Sequence, residues 1–588
     1  MSDDTPGFCS AVPCILISTS DSPIDHRKLQ ACLLSLDRQG FKRSRAIALS
    51  CSRLEVRFWP SEQERLLHLR TSEGEIVCIG PVWTGDGSTE SKLFEAADAL
   101  ARKDTERAGK ALRQLHGSFV IVFFLNRGHW IYTDPIGGMQ LFLDRDQGLI
   151  GSSFLSLVEQ QAHPRFERAG VLQYLLAEAP HGGRSIIQGI EVIPPGCLIN
   201  QDASDQLDIW KSFWSPSNSK PASIQDTLEQ LENILVSDFK AMRDAGLGRA
   251  SIALSGGFDS RLVLGLAQRA GIQPDVFVYG PANSPDVRIA SLICQAEGLS
   301  IAHVDKAVLN RQIPVPQSTD QSIDFFDGYS ADGCLDPGAD RLTRLQQTAE
   351  GRVALNGGGG EILRNFFHLG NGAFTAAQIV DAFYSQFPSS ILRNKTDLAL
   401  YRETMAQGIR STLKTGTEKL ERRQVELIYP LFRCRWWMSR NSSIANRTGL
   451  FLTPLLNPQV ILMAANIDLH WKRAGRLEAA LIKKVSPSLA RHESAYGFRF
   501  DQGPGMISAI KERFHELRPT AARPLISASG YLIRNRSTKG SKPKCEDNSM
   551  KKTIRSSLFL DTAPLSAGIE RRLGTLQTLA DRFTIAFE

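Results

Sequence analysis

One ten-residue stretch, residues 251–260, constrains the fold more than any other part of this chain. Its first four residues form a short apolar run that is typical of the end of a buried parallel strand. Gly256 and Gly257 follow, and two glycines let the backbone turn and approach a ligand closely. From Asp259 the apolar residues recur with a helical period until Gly271. Strand, glycine turn and helix together aim backbone N–H groups at an anion.

The charges in this loop narrow the identity of the anion. The loop contains no Lys, so it is not the phosphate loop of the G-x-x-x-x-G-K-[ST] type. It carries an acid instead, Asp259, which would repel a phosphate unless a divalent cation lay between them. Mg²⁺ is the usual bridge between carboxylates and phosphates. The sequence therefore predicts a phosphate site in which Asp259 is a Mg²⁺ ligand.

The same loop carries a family resemblance. Residues 255–260 read Ser-Gly-Gly-Phe-Asp-Ser and resemble the S-G-G-x-D-S pyrophosphate loop of the ATP-pyrophosphatase group. The loop is most similar to that of the asparagine synthetase family, which includes β-lactam synthetases and lasso-peptide cyclases. The resemblance implies cleavage of ATP between its α and β phosphates and an acyl-adenylate intermediate. An ordinary glycine turn in a βα unit is the alternative. The nucleotide-binding residues that the family resemblance implies are Ser255, Gly256, Gly257, Asp259 and Ser260.

Two further βα units follow the loop and predict a parallel, doubly wound sheet. Residues 275–280 form a second apolar strand, and residues 301–304 form a third. Between them, Ser284 suits a helix N-cap and Pro285 suits the first helical position. Ligands bind beyond the carboxyl ends of such strands. The adenine is therefore expected near Leu254, Val278 and Tyr279, although Tyr279 is equally compatible with plain packing.

A second glycine loop, residues 354–361, resembles the family's G-x-G-x-D-E loop. Again a strand end meets glycines and then an acid. The resemblance makes Glu361 the second Mg²⁺ ligand and implies that Gly357, Gly358 and Gly359 contact the nucleotide. A solvated flexible loop is the alternative.

The N-terminal part, residues 1–210, is predicted to be a β-rich domain. Residues 115–142 resemble the N-terminal-nucleophile glutaminase half of asparagine synthetases, with Asp134 and either Gly137 or Gly138 in matching places. That glutaminase chemistry requires Cys at the mature N-terminus. Position 2 is a serine, and the nearest thiol is Cys9. We therefore expect a glutaminase-like domain without glutaminase activity.

The resemblance weakens after residue 450. Leu452 and Asn457 stand where the family has Arg and Asp. The family's late loop contains a Lys that steadies adenylation, whereas residues 489–498 contain none. Arg491, His492 or Lys484 is the candidate substitute. The predicted catalytic residues are Asp259, Glu361, Lys484 and His492.

The remaining predictions concern organisation and surroundings. At 588 residues the chain is too long for one domain, and we predict an ATP-pyrophosphatase domain at residues 222–510 and a C-terminal extension at 511–588. Residues 534–552 suggest a disordered basic linker.

The net charge of +7 is spread widely, so nucleic acid is an improbable partner. The cations and aromatics of residues 433–440 are better explained by a helix with a buried Trp. No run is long enough for a membrane span, and unpaired cysteines suggest a cytoplasmic protein.

These observations predict an α/β protein that combines a β-rich N-terminal-nucleophile-like domain with a doubly wound ATP-pyrophosphatase domain. The predicted function is an AMP-forming carbon–nitrogen ligase that uses ATP and Mg²⁺ to join a carboxylate to an amine. The carboxylate and amine belong to a peptide or natural product, with a precursor peptide and its protease as partners, or to a small acid as in asparagine synthase. A non-catalytic nucleotide-binding relative and an enzyme that adenylates RNA are the alternatives.

Overall fold

The computed structural model describes residues 14–18, 26–41, 47–50, 55–59, 66–126, 128–201, 207–209, 223–313, 319–334, 338–536 and 549–587. Cys9, the proposed linker at 215–221 and most of the basic segment at 534–552 lie outside these ranges.

The N-terminal region is built mainly from strands. Its strands are β1 (Cys14–Ser18), β2 (Ile47–Ser50), β3 (Glu55–Trp59), β4 (Leu66–Thr71), β5 (Gly74–Ile79), β6 (Val82–Trp83), β7 (His116–Gly117), β8 (Val120–Leu125), β9 (Gly128–Thr133), β10 (Phe142–Asp144), β11 (Leu149–Gly151), β12 (Ile190–Val192), β13 (Leu198–Gln201) and β14 (Leu207–Ile209). Its helices are α1 (His26–Arg38), α2 (Thr89–Ala101), α3 (Thr105–Leu112), α4 (Phe154–Glu159) and α5 (Arg168–Ala177).

Two six-stranded antiparallel sheets form the centre of this region. One has the order β12-β10-β11-β1-β3-β2 and the other the order β14-β13-β9-β8-β5-β4. Side chains alternate across each strand, so Val120 and Val122 of β8 face the core shared with the first sheet. Ile121 and Phe123 face the opposite way and pack with helices α2 and α3. Helix α4 lies against β10 and β11 of the first sheet, and α1 packs on α4, which completes a helix–sheet–sheet–helix arrangement.

The second region alternates strands and helices. Its strands are β15 (Arg249–Ala253), β16 (Gln273–Tyr279), β17 (Ile301–Val304), β18 (Val353–Leu355), β19 (Phe374–Thr375), β20 (Lys419–Leu420) and β21 (Phe451–Leu452). Its helices are α6 (Ile224–Asp244), α7 (Phe258–Ala270), α8 (Pro285–Ala296), α9 (Lys306–Gln312), α10 (Thr319–Phe325), α11 (Ala339–Thr348), α12 (Ala376–Ile379), α13 (Lys395–Leu413), α14 (Arg422–Ile428), α15 (Arg435–Asn446), α16 (Pro458–Ala464), α17 (Leu469–Lys472), α18 (Arg476–Val485) and α19 (Pro487–Ala490).

A five-stranded sheet organises this region, with the order β17-β16-β15-β18-β21 and every neighbouring pair parallel. From β15 the chain first winds outward through β16 to β17 and then returns to place β18 on the other side of β15. The order of the strands therefore reverses between β15 and β18, and the crevice at such a reversal is where ligands bind in doubly wound sheets. The α/β fold class predicted from the sequence is confirmed.

Four helices follow: α20 (Met506–Leu517), α21 (Arg523–Arg536), α22 (Ser549–Leu558) and α23 (Ala567–Phe583). Helix α23 packs against the rest of the protein and buries Ile569, Leu573 and Leu576. The described ends of the predicted linker are helical, because α21 continues to Arg536 and α22 begins at Ser549. Among the described helices, none combines the length and apolar character that a bilayer crossing would need.

A buried carboxylate, Asp327, joins the two regions. It accepts hydrogen bonds from the backbone N–H groups of Phe154 (2.8 Å) and Leu155 (3.1 Å) at the start of α4. From the second region, Arg440 lies 3.2 Å and Arg447 lies 3.5 Å from its oxygens. Burial would raise the pKa of Asp327, but these two guanidinium groups hold it below its usual value. We call Asp327, Arg440 and Arg447 the interface cluster.

Candidate nucleotide site

The first glycine loop connects β15 to α7 at the carboxyl edge of the sheet. The strand pairing continues to Leu254, whose N–H donates to Phe277 O at 2.8 Å. Ser260 then folds back on the loop, and its Oγ accepts from the N–H of Ser255 at 3.0 Å. Helix α7 begins at Phe258, one residue before Asp259. The loop is thus a strand-to-helix turn of the kind predicted from residues 251–260.

A carboxylate accepts a hydrogen bond from one backbone N–H group of this loop. The N–H of Gly256 donates to Asp286 Oδ1 at 2.8 Å, and Asp286 lies in the first turn of α8. The N–H of Gly257 donates to Ser255 Oγ at 3.2 Å. The loop therefore already attracts an anionic group, since an exposed acid from a neighbouring helix caps it. A phosphate bound at this donor would displace Asp286.

The second glycine loop follows β18 and packs directly on the first. A Cβ built on Gly360 would lie only 1.9 Å from Asp259 Oδ1, and one on Gly357 would lie 3.0 Å from the Asp259 backbone. Gly359 has a φ of +95°, which side chains rarely tolerate. The glycines are needed because two loops approach each other without room for side chains. A 3-10 turn at Gly360–Leu363 then carries Glu361 toward the site.

The two predicted acids meet around a cation that the sequence analysis did not identify. Arg364, three residues after Glu361, donates through one nitrogen to both oxygens of Asp259, each at 2.8 Å. The same nitrogen lies 3.7 Å from Glu361 Oε1. Arg364 Nε lies 3.1 Å from Oε2 of Glu478, a residue of α18. We call Asp259, Glu361, Glu478 and Arg364 the acid cluster.

Glu478 is the most deeply buried member, with no exposed side-chain surface. Burial, and next the negative charge of Asp259, raise the pKa of Glu478 well above its usual value. Both effects favour the protonated form of Glu478, and burial also raises the pKa of Asp259. Glu361 is held separately, because its Oε2 accepts from the Tyr429 hydroxyl at 2.6 Å and from the Gly359 N–H at 3.2 Å.

The cluster does not present a ready Mg²⁺ site. Mg²⁺ requires several oxygen ligands in near-octahedral geometry, but both oxygens of Asp259 are engaged by Arg364, and Glu361 is tied to Tyr429. No group of three or more potential metal-ligating residues arranged for an ion occurs within the described ranges. The Arg364 guanidinium fills the space between the two acids that an ion would have to bridge.

A cavity of about 460 Å³ opens beside the two glycine loops. Of the residues predicted to bind the nucleotide, those that line it are Leu254, Ser255, Asp259, Ser260, Val278, Tyr279, Gly357 and Gly358. Gly256, Gly257 and Gly359 contribute to the loops but not to its lining. Trp437 and Met438 of α15 add apolar surface. The size lies within the ~300–1,000 Å³ common for small-molecule sites.

The structure does not bring Lys484 or His492 to this cavity. Lys484 Nζ lies 3.2 Å from Glu232 Oε2 on α6, and His492 Nε2 lies 2.9 Å from Oε1 of Glu297, the residue after α8. The late loop itself is near the site, because the Ala495 N–H donates to Gly256 O at 2.9 Å. Its Tyr496 hydroxyl lies 3.3 Å from Arg364 Nη1. The late loop thus contacts a cation of the acid cluster, Arg364, which arrives from the second glycine loop.

A second cavity, of about 480 Å³, opens on the other side of the acid cluster. Glu361 lines both cavities, and Arg364 lines the second. The other cationic or titratable groups in its wall are His368, His515, Arg518 and Arg523, and its aromatic rings are Phe366, Phe367 and Phe383. Burial and the nearby Arg518 lower the pKa of His515, so it is neutral at pH 7. The two cavities therefore meet at Glu361, a member of the acid cluster.

The segment of cations and aromatics at residues 433–440 has a structural explanation. Trp436 is buried, as predicted, and Trp437 lines the first cavity. Arg440 belongs to the interface cluster, and Arg435 is buried against Trp436. These two arginines pack inside the protein, so they offer no basic surface.

No family model matches the sequence, and no curated protein matches it. Among solved structures, the glutamine phosphoribosylpyrophosphate amidotransferase of B. subtilis with ADP and GMP is 8% identical, with 51% of this chain and 92% of that chain covered and a TM-score of 0.24. A second structure, of an allosteric regulatory enzyme of purine biosynthesis, is 10% identical, with 53% and 93% covered and a TM-score of 0.24. The glutamine-dependent NAD+ synthetase of Acinetobacter baumannii with ADP is 19% identical, with 28% and 31% covered and a TM-score of 0.16. At these values the likenesses bear on neither activity nor substrate, which must be argued from the site.

Proposed function

We propose that this protein is an ATP-dependent ligase that activates a carboxylate as an acyl-adenylate and passes it to an amine. The observation that carries the proposal is the pair of cavities that meet at Glu361. One is built from the glycine loops, and the other is lined by cations and aromatic rings. A reaction between a nucleotide and a carboxylate needs two such sites with a shared wall.

The first cavity suits ATP. Leu254, Val278 and Tyr279 supply apolar contact for a base, and the backbone N–H groups of residues 255–257 lie at the start of helix α7. That position favours anions, because the N–H groups of a helix's first turn lack intrahelical acceptors and the helix dipole attracts negative charge. A phosphate here would replace the Asp286 carboxylate on the Gly256 N–H. In this arrangement the β and γ phosphates bind the first loop, and the α phosphate lies nearest to the acid cluster.

The second cavity suits a carboxylate. Arg364 and Arg518 provide charge, and the aromatic rings provide apolar surface. A carboxylate oxygen attacks the α phosphorus of ATP, the bond to the β phosphate breaks, and pyrophosphate leaves. An amine then attacks the acyl carbon, and AMP leaves with the electron pair of the broken C–O bond. The enzyme contributes mainly by orienting two reactants across the acid cluster.

The rim of the second cavity favours a substrate with an apolar part, such as a peptide, over a small free acid. Ile526 of α21 lines the cavity and is itself 49% exposed. Neighbouring positions on α20 and α21 also leave large apolar side chains in solvent, namely Ile510, Phe514, Leu517 and Leu525. A continuous apolar surface at a pocket mouth is unusual unless something binds there. We therefore favour amide formation in a peptide or apolar natural product.

The N-terminal region is proposed to serve structure and not glutamine hydrolysis. Its best match to the glutaminase pattern, Asp134, is buried and accepts four backbone hydrogen bonds from residues 136–139. That turn packs on α15, where Asn446 Nδ2 donates to Gly138 O at 3.3 Å. The Asp134 turn therefore helps to position the helix that lines the nucleotide cavity.

The test is ATP–pyrophosphate exchange with labelled pyrophosphate and a panel of small acids and apolar peptides. Label should return to ATP with at least one acid, and the nucleotide product should be AMP. Arg518→Glu should reduce exchange about tenfold or more, because it places a repelling charge in the second cavity, while ATP binding stays unchanged. Lys511→Glu, the same charge change at an exposed position of α20, is the control. Appearance of ADP, or an equal loss in both variants, would refute the proposal.

A further inference from the structure

We infer that Arg364 is the resident cation of the phosphate site, that it excludes a divalent ion from the acid cluster, and that the protein binds the phosphates of its nucleotide without such an ion. The part of this inference that concerns phosphate binding rests on the nucleotide site proposed above. The part that concerns exclusion of a divalent ion by Arg364 depends only on the geometry of the acid cluster.

The geometry around Arg364 is that of a filled cation site. One of its nitrogens lies 2.8 Å from both oxygens of Asp259, and Nε lies 3.1 Å from Glu478. The two hydrogen bonds to Asp259 are charge-assisted, a type that is among the strongest in proteins. A guanidinium is always charged, so it occupies the site at every physiological pH. Its side chain is only 18% exposed, and water cannot replace it easily.

The backbone around the cluster leaves no room for both cations. Gly360 contacts Asp259 so closely that a side chain there would collide with the carboxylate. Glu478 closes the side toward α18, and the Phe258 ring lies under the guanidinium, 5.5 Å from its central carbon. A divalent ion between Asp259 and Glu361 would stand within a few ångströms of Arg364. Like charges at such a distance, partly shielded from water, repel each other strongly.

Arg364 also explains how an acid can lie beside a phosphate site. Asp259 lines the nucleotide cavity, and its bare charge would repel the phosphates. With both oxygens engaged by Arg364, that charge is neutralised from behind, on the side of the second cavity. Arg364 thus neutralises the charge of Asp259, as a bound ion would otherwise do.

Two measurements test this inference on the full-length chain. The first titrates MnCl₂ without nucleotide and follows free Mn²⁺ by electron paramagnetic resonance. The wild type should bind no Mn²⁺ at the acid cluster at sub-millimolar concentration. Arg364→Gln should bind about one ion per chain, because it uncovers the acids. Arg168→Gln breaks a comparable bidentate pair, with Asp397, and should bind none.

The second measures the affinity for a non-hydrolysable ATP analogue in EDTA and in excess Mg²⁺. The wild type should bind equally within about threefold, whereas Arg364→Gln should bind at least tenfold more weakly in EDTA and recover in Mg²⁺. Arg364→Lys, which keeps a charge and serves if the Gln variant does not fold, should resemble the wild type in both measurements.

Stoichiometric Mn²⁺ binding by the wild type, or analogue binding that requires Mg²⁺, would overturn the inference while leaving the proposed function intact. Absence of analogue binding under every condition, together with the expected Mn²⁺ results, would refute the nucleotide site but not the exclusion of metal by Arg364.

Discussion

Two buried clusters in this protein combine arginine with carboxylate, and they differ in their charge balance. In the interface cluster, one carboxylate, Asp327, faces two guanidinium groups and also accepts backbone N–H groups of α4. In the acid cluster, three carboxyl groups surround the single guanidinium of Arg364. The first cluster lies between two packed regions, and the second separates two cavities.

The difference shows how a structural and a functional ion cluster can be told apart. At the interface, two guanidinium groups compensate the single negative charge of Asp327, and they hold the pKa of Asp327 below its usual value. In the acid cluster three acids face one cation, and burial together with the negative charge of Asp259 raises the pKa of Glu478. Perturbed groups of this kind concentrate where a protein binds or transforms a ligand. The predictions below challenge this distinction.

The largest effect is expected at the interface. Asp327→Asn should lower the free energy of unfolding by about 3–5 kcal/mol, because two buried guanidinium groups lose their counter-ion. Asp332→Asn, an exposed site five residues away, is the control and should change stability by less than ~0.5 kcal/mol. Urea unfolding followed by tryptophan fluorescence measures both. A loss below 1 kcal/mol for Asp327→Asn would mean that the interface cluster is not structural.

An intermediate effect is expected at the edge of the functional site. Asp286→Asn should raise the affinity for ATP by about three- to tenfold, because it removes a charge that competes with phosphate, of the order of 1 kcal/mol. The amide oxygen can still accept from the Gly256 N–H, so the loop is retained. Calorimetric titration measures the change. Asp275→Asn, near the amino end of β16, should leave affinity unchanged, and unchanged or weaker binding by Asp286→Asn would argue against phosphate at this loop.

The smallest effect is expected for the most buried acid. Glu478→Gln should change the free energy of unfolding by less than about 1 kcal/mol, because a neutral carboxyl is replaced by a neutral amide that can donate to Asp259. The comparison with Asp327→Asn, which removes a true charge, is made under the same unfolding conditions. A loss as large as that of Asp327→Asn would show that Glu478 is ionised and would erase the difference between the clusters.

Local patterns were sufficient to predict much of this fold and part of the site. The strand–glycine–helix pattern of residues 251–260 predicted β15, the loop and α7 correctly, because those features depend on neighbours in sequence. The second glycine loop and Glu361 were also predicted beside Asp259, and the structure brings them together. His492 in the late loop and Lys484 just before it were predicted as substitutes for the missing Lys, but their side chains pair with Glu297 and Glu232.

Arg364 and Glu478 show what a sequence pattern does not reveal. Arg364 follows Glu361 by three residues, which is a weak signal because acid and base often pair at that spacing on a helix. Glu478 is more than a hundred residues away, on an amphipathic helix where an acid is expected to face solvent. Only packing of α18 against α7 turned it inward.

The sequence by itself determined the α/β class, the two glycine loops and two of the acids that meet there, Asp259 and Glu361. These follow from residue type and spacing, since apolar periodicity and glycine conformations act over a few residues. The tertiary structure alone decided that Glu478 joins those acids, which cation faces them, which carboxyl groups have a raised pKa and where two cavities meet. Those properties depend on distances between residues far apart in the chain and on how much water the packing removes from around each charge.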